Sequence, residues 1–357
     1  MRILIDIGHP AHVHMFKFFA IEMQKKGHDV LFTCRDKEFE IQLLKQYNLN
    51  FVNFGKKSKG TLGKIWDLIR FNYKEWRVAR KFKPDVFLSH GSITASHVAW
   101  ILGKPSIAFE DTFNMEQIRL WEPFVSAILT SDYEHPLKSD KVIKYPGYNE
   151  LLYLHPNRIT PNENIKSELG LEDSDKYAIV RFVSWEASHD MGHNGISHEN
   201  KILAVKEFSK LAKVFITSEW KLPPELEQYR FPLPATKMHE AISSASLVFG
   251  ESATMVTEGI MFGVPGVYID TTGRYYTRDL ETKYGLCFNY TESEEDQTKA
   301  IKKGCEILAY TENYNDNYNN LLSEKIDCTA FLIWFVENYP ESAKLTKNAS
   351  KEFWERF

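Results

Sequence analysis

Three stretches of the chain hold residues whose types and spacing suit chemistry. Near the start, Gly8-His9-Pro10-Ala11-His12-Val13-His14 places three histidines in a loop after a short apolar run. An imidazole titrates near neutrality, so His12 is a candidate base for a hydroxyl proton. These histidines could equally cap a helix, and His-x-His spacing also suits zinc, although no acidic or Cys partner lies close by in sequence. In the second stretch, Phe249 to Pro265, an apolar run ends at Gly250, and Glu251, Ser252, Ala253 and Thr254 open a helical pattern. Free N–H groups at a helix start, with the helix dipole, can hold a diphosphate. Ser252 and Thr254 add hydroxyls, and Glu258, further along that helix, could accept two ribose hydroxyls. The plain alternative is a capped helix with Glu258 in solvent.

The third stretch is Arg181-Phe182-Val183-Ser184-Trp185-Glu186-Ala187-Ser188-His189-Asp190-Met191-Gly192-His193. Two histidines, an Asp and an Arg after a strand are costly to bury without a ligand. Ser184 could touch a diphosphate, Arg181 could balance its charge, and His189 and Asp190 could contact a sugar. A solvated loop is the alternative. Thr217-Ser218-Glu219 ends the next strand, which makes Glu219 a further candidate for the sugar.

The elements that must position these residues alternate. Arg2–Ile7, His28–Cys34, Phe51–Phe54, Asp85–Ser89, Lys104–Glu110 and Ala127–Ser131 read as strands. Met15–Lys26, Leu62–Lys83 and Thr94–Leu102 read as helices between them, closed by Gly27, Pro84 and Gly103. Strands with crossover helices predict a parallel doubly wound sheet. A polar, proline-bearing stretch at residues 155–162 reads as a linker. The alternation then restarts, with strands at Tyr177–Val183, Val214–Thr217, Leu247–Gly250 and Gly266–Asp270 and helices at Glu199–Ala212, Met238–Ala245 and Thr254–Phe262. Asn313–Asn320 reads as a polar loop, and residues 329–357 as aromatic-rich helices broken near Pro340. The expected organisation is an N-terminal Rossmann-like domain over 1–155, a second over 165–328, and helices 329–357 packing back on the first. In such sheets, ligands bind beyond the carboxyl ends of the strands.

Composition narrows the classes. The chain has 357 residues, a net charge of −4, 43% hydrophobic and 26% charged residues, as in an ordinary globular protein with room for two cores. The four cysteines lack CxxC spacing, which excludes a Cys-type zinc site and fits a reducing compartment. Neither a signal peptide nor a run of about 18 apolar residues is legible, so a cytoplasmic protein is expected.

The Gly250–Pro265 block resembles the donor-nucleotide motif of GT-B glycosyltransferases and of the related UDP-N-acetylglucosamine 2-epimerases. In both, a Ser and small residues precede a ribose-binding Glu, and Gly-x-Pro follows, as Ser252, Glu258, Gly263 and Pro265 stand here. Ala253 replaces their usual Gly. The Gly8–Val13 loop resembles the first loop of the lipid II-forming N-acetylglucosaminyltransferase, which implies His12 as the base near the acceptor hydroxyl. Tyr145-Pro146-Gly147 resembles the end of the N-terminal domain in these families. His90 to Ser96, with Phe109-Glu110-Asp111, resembles an epimerase segment, and the resemblance implies Glu110 as a second catalytic residue. Ser92 stands where the epimerase has its catalytic Asp, and the epimerase's His-Arg-Arg-Glu-Asn segment is missing. These departures place the transferase ahead. The segment 182–193 is also similar to that of a narrower bacterial and archaeal GT-B family of previously unassigned function.

What the resemblance implies is an α/β, GT-B protein with two Rossmann-like domains facing an interdomain cleft. It would transfer a sugar from a nucleotide-diphosphate donor, a UDP-sugar, to a glycan or polyprenyl-linked acceptor in surface polysaccharide synthesis. Neither metal nor cofactor is expected. Arg181, Ser184, Met238, Gly250, Glu251, Ser252, Ala253, Thr254 and Glu258 would bind the donor; Met238 lies where such enzymes present backbone to the base. Sugar-nucleotide epimerisation and non-catalytic binding of a nucleotide-sugar are the alternatives. Residues 56–83 add ten Lys and Arg against Asp67 and Glu75, a local +8, interleaved with Trp66, Phe71, Tyr73 and Trp76. Such a helix can rest on an anionic membrane or simply be solvated with its aromatics in the core. No nucleic-acid recognition fold accompanies it.

Overall fold

The computed structural model describes residues 1–36, 39–58, 60–183, 195–218, 221–310, 314–347 and 349–357. The chain divides into two compact units, residues 1–158 with 325–357, and residues 159–324. Each is a parallel sheet flanked by helices.

In the first unit, the strands are β1 (Arg2–Asp6), β2 (Asp29–Cys34), β3 (Phe51–Asn53), β4 (Val86–His90), β5 (Ser106–Phe109), β6 (Ala127–Ser131) and β7 (Val142–Tyr145). Among the described residues they lie in the order β3-β2-β1-β4-β5-β6-β7, every pair parallel. A parallel sheet needs a crossover between strands, and helices supply it on both faces. That is why Ile3, Leu4, Ile5, Phe87 and Leu88 are fully buried and why the strands read as continuous apolar runs. Helix α1 (Pro10–Lys25) starts with Pro10 in its first turn, where a missing N–H costs nothing. Its cap is His9, whose Nδ1 accepts from Ala11 N at 3.2 Å. Helices α2 (Glu40–Gln46), α3 (Gly60–Phe82), α4 (Ile93–Ile101), α5 (Met115–Trp121) and α6 (Leu151–Leu154) complete this part.

The second unit holds α7 (Ile165–Glu168), β8 (Tyr177–Phe182), α8 (His198–Phe208), β9 (Lys213–Ser218), α9 (Met238–Ser243), β10 (Leu247–Gly250), α10 (Ala253–Ile260), β11 (Gly266–Ile269), α11 (Tyr275–Thr282), β12 (Cys287–Tyr290), α12 (Glu294–Ala309) and α13 (Asn315–Glu324). Its described strands run β12-β11-β10-β8-β9, again all parallel. Val180, Phe182, Phe208, Phe249 and Val267 form its core. Small residues let the layers close: Gly304 lies so near Phe208 that an added Cβ would stand 2.6 Å from the ring.

The chain then returns to the first unit as α14 (Cys328–Glu337), α15 (Glu341–Lys347) and α16 (Lys351–Trp354). Asp327 caps α14 through the N–H groups of Thr329 and Ala330, at 3.1 and 3.0 Å. The same carboxylate receives Arg158 Nε at 2.9 and 2.8 Å. Thr329 Oγ1 donates to Leu152 O at 2.6 Å.

The polar stretch expected as a loop at Asn313–Asn320 is instead largely the helix Asn315–Glu324. Its Asn residues are weak helix formers, but packing overrides them. Leu321 is fully buried, and the Tyr318 hydroxyl donates to Met261 O at 2.9 Å.

Gly250 has φ +144°, and a Cβ there would collide with the Arg181 carbonyl of the adjacent strand. Gly250→Ala should therefore cost about 3 kcal/mol or more, read as a lowered denaturant midpoint followed by circular dichroism.

Candidate functional site

Each sheet has one place where the strand order reverses. In the first unit it lies between β1 and β4; in the second, between β8 and β10. Crossovers leave in opposite directions there, so the loops diverge and a crevice opens at the carboxyl ends. All the described sequence candidates except Met238 sit at or beside these two places.

In the first unit, β1 ends at Asp6, which is 2% exposed. Its Oδ1 accepts from Thr33 Oγ1 at 2.8 Å and pairs with the buried Arg35 guanidinium. Its Oδ2 accepts from Ser92 Oγ, and Ser92 in turn caps α4 by accepting from Ala95 N at 3.1 Å. Ser92 is therefore bound into structure at both its donor and its acceptor. Glu75, from α3, is fully buried beside this pair. Burial pushes its carboxyl well above the usual range; Asp6 adds to the shift and Arg35 opposes it.

His12 and His90 meet across the reversal. Their rings stack at 4.7 Å with planes 28° apart. Gly8 N donates to His12 Nδ1 at 3.3 Å, so the neutral ring carries its proton on Nε2. To take a proton at Nε2, the ring must first shift its own to Nδ1 and break that bond. His90 Nε2 lies 3.0 Å from Asp111 Oδ1. Asp111 Oδ2 accepts from Asn149 Nδ2 at 2.6 Å, and Asn149 Oδ1 accepts from Tyr145 OH at 3.0 Å. Burial pulls the His90 imidazolium down, but Asp111, with Glu110 and Glu150, outweighs it and pushes His90 up to about 9. His14 faces elsewhere, against Tyr47 and Tyr153. Among the described residues, no three His, Cys, Asp or Glu are grouped to hold a metal ion.

Glu110 follows β5 and is buried. Its Oε1 accepts from Thr112 N, Thr112 Oγ1 and Phe113 N at 2.8, 2.7 and 2.7 Å. This oxygen is committed to folding the loop, and Oε2 lies toward Gly91 and the Trp121 indole.

In the second unit, Gly250 pairs with Arg181, and Arg181 NH1 donates to Thr217 Oγ1 at 3.3 Å. Ser252 caps α10, accepting from Met255 N at 3.4 Å. Ala253 is buried and Thr254 half-buried at the helix start. Glu258, in the second turn, is buried, with Oε1 3.0 Å from His239 Nε2 of α9. Met238 begins α9 after a short 3-10 turn, Ala235–Lys237. Glu251 is bound differently from the expectation of a donor ligand. Its Oε2 accepts from Val183 N at 2.7 Å and its Oε1 from Ile196 N at 2.6 Å. One carboxylate thus joins Val183 to Ile196, with the buried Lys201 ammonium 3.6 Å away. Ser184, His189, Asp190 and Glu219 lie outside the described residues.

Sequence reading missed Asp6, Arg35, Asn149 and His239 as members of these clusters. Asp6 lies 29 residues from Arg35, Asn149 38 from Asp111 and His239 19 from Glu258, so the folded chain and not local spacing joins them.

The family model described as a protein of unknown function, DUF354, matches residues 1–281. The chain belongs to that family. No curated protein matches it. Among solved structures, it is similar to a UDP-GlcNAc 2-epimerase from Neisseria meningitidis bound to UDP-GlcNAc (TM-score 0.66, 16% identity, 95% of this chain and 100% of that one). It is also similar to MurG from Acinetobacter baumannii (0.59, 14%, 94% and 99%). A third is the spinosyn rhamnosyltransferase SpnG complexed with spinosyn aglycone (0.59, 13%, 95% and 100%). These likenesses extend over nearly the whole chain, and the fold is GT-B.

Helix α3 places its two acidic residues inward. Asp67 is 5% exposed and tied to Ser58 and Arg70; Glu75 is the buried group beside Arg35. On its outer surface Ile65, Trp66, Ile69 and Tyr73 are more than half exposed, with Arg77, Arg80 and Lys81 also exposed. Among the described residues, no helix is long and apolar enough to cross a membrane.

The His90 value sits above its ordinary 6.5. The ion pair's stabilisation is therefore complete below about pH 6.5 and lost as pH rises through about 9. Asp111→Asn should lower the denaturant midpoint at pH 6 and leave it almost unchanged at pH 10.

Proposed function

We propose that the chain is a glycosyltransferase that moves a sugar from a nucleotide-diphosphate donor, a UDP-sugar, to a glycan or polyprenyl-linked acceptor in surface polysaccharide synthesis. The observation that carries this reading is the geometry at the second strand reversal. Gly250 brings backbone against backbone, Ser252 opens an eight-residue helix whose free N–H groups suit a diphosphate, and Glu258 stands in that helix's second turn. The Neisseria epimerase, with its bound UDP-GlcNAc, and the rhamnosyltransferase, with its aglycone, supply the substrate class by analogy.

In the reaction, an acceptor hydroxyl oxygen bonds to the anomeric carbon as the bond to the diphosphate breaks. The hydroxyl proton passes to His12, and acceptor binding must first release the Gly8 bond. The charge left on the diphosphate is balanced by the α10 N-terminus and Arg181. His239 orients Glu258 for the ribose. Glu251 joins Val183 to Ile196 rather than touching the donor, and Glu110 shapes the acceptor loop. No cofactor or metal enters this scheme.

Epimerisation remains the second reading because epimerases such as the Neisseria protein share this architecture. Product formed without any acceptor would establish it. Against it stands Ser92, whose hydroxyl is committed to Asp6. Stable donor binding with no turnover toward acceptors or water would mark a non-catalytic sensor.

A nucleoside diphosphate at about 100 times its dissociation constant should stabilise the protein by roughly 2.7 kcal/mol. Glu258→Ala should weaken that binding about tenfold or more, read by thermal shift. His12→Ala should leave binding intact and lower turnover about 100-fold. The absence of any shift across nucleotides at millimolar concentration would refute the sugar-nucleotide reading.

For a polyprenyl-linked acceptor, we infer that the protein works in the cytoplasm, peripherally on an anionic membrane through α3, without binding nucleic acid. The purely cationic, aromatic outer face of that helix supports this. Vesicles containing anionic lipid should co-sediment the protein and neutral ones should not. High salt, or Trp66→Ala with Ile69→Ala, should release it.

A further inference from the structure

We propose that His90 is a positioning residue, a fixed cation that Asp111 holds in place and that keeps the stacked His12 ring neutral. The inference rests on reading His12 as the group that meets the acceptor, but its test observes the rings themselves. The geometry comes from five elements. His90 ends β4 and His12 opens α1, and the two rings lie face to face at 4.7 Å. Asp111, after β5, bonds His90 Nε2 at 3.0 Å. Asn149, before α6, fixes Asp111 from its other oxygen at 2.6 Å, and Tyr145 of β7 fixes Asn149.

Among the described residues, the other charged groups around His90 are Glu110 beside Asp111, Glu150 at the start of α6, and the Asp6–Arg35 pair at the end of the neighbouring β1. The His9 ring lies 6.0 Å from the His12 ring. Three carboxylates facing one imidazole favour its charged form, which is the direction of the His90 shift. A second proton on His12 would set two cations face to face and would break the Gly8 N–H bond to Nδ1. Both effects oppose protonation of His12. A neutral His12 near pH 7 is what either a proton acceptor or a neutral donor to an oxygen requires.

The test is nitrogen-15 NMR of the histidine rings in the full-length protein, titrated from about pH 5 to about pH 10. At pH 7, both His90 nitrogens should read as protonated and His12 as neutral. In His90→Gln and in Asp111→Asn, the His12 protonation constant should rise about tenfold, one pH unit. The Asp111 variant is decisive in sign. Removing a nearby negative charge alone should make His12 harder to protonate, so a rise can come only through loss of the His90 charge. A neutral His90 at pH 7 overturns the proposal, as does an unmoved His12 in variants whose circular dichroism is native. A rise in His90→Gln alone would mean a packing effect and also overturns it. If His90→Gln fails to fold, the His90 ring state and the Asp111→Asn titration decide. None of these readouts depends on finding the donor or acceptor, so failure here is distinct from failure of the transferase reading.

Discussion

Parallel strands cannot be joined by tight turns, and this constraint organises the molecule. Every connection must cross a face of the sheet, and a sheet covered on both faces must somewhere reverse the direction of crossing. At the reversal, two neighbouring strands send their chains to opposite faces and leave a crevice between them. In the first unit the strands are β1 and β4; in the second they are β8 and β10. Asp6, His12, His90 and Ser92 gather at one such place, and Arg181, Gly250, Glu251 and Ser252 at the other. These polar clusters are therefore located by topology before any side chain is considered.

Burying charge at these strand ends is costly unless each group finds a partner. The first unit answers with an ion pair in a half-aromatic box: Arg35 bridges to Asp6 while its guanidinium lies 5.7 Å from the Phe54 ring and 5.3 Å from the Phe71 ring. The second answers with Lys201 beside Glu251 and over the Phe182 ring at 5.3 Å. Each pair also meets polar groups beyond itself: Ser92 Oγ donates to Asp6, and the N–H groups of Val183 and Ile196 donate to Glu251. Removing one partner would leave the other buried and charged, so these groups act as pairs and not as independent ligands.

Much of the fold was legible because strand and helix periodicity survive in a parallel α/β chain. The strands at Arg2, Ala127, Tyr177 and Leu247 begin where the apolar runs begin, and glycine or proline marks the helix ends. What was less legible depended on tertiary contact. Cys287–Tyr290 is a short edge strand with partly exposed residues, so its apolar signal is weak. Asn315–Glu324 is helical because Leu321 and Tyr318 dock, against the propensity of its asparagines. At the sites, Gly250, Ser252 and Glu258 could be read because their spacing is local. His90 and Asp111 stood in a noticed segment, yet their stacking and ion pairing could not be read, since His12 lies on a different strand's loop and Asn149 comes 38 residues after Asp111.

The carboxylates illustrate why residue type alone misleads about role. Glu110 was expected as a catalytic residue, and Glu251 and Glu258 as donor ligands. Glu110 spends one oxygen on three hydrogen bonds within its own loop. Glu251 spends both on backbone N–H groups. Glu258 meets a histidine ring through one oxygen. A carboxylate saturated by backbone N–H groups cannot exchange them for a ligand without unfolding the loop it holds, because those N–H groups would be left buried and unmet. One that faces an imidazole can share that partner with an incoming hydroxyl. The distinction lies in who donates to the oxygen, and it separates Glu251, joined to two backbone N–H groups, from Glu258, joined to a side chain.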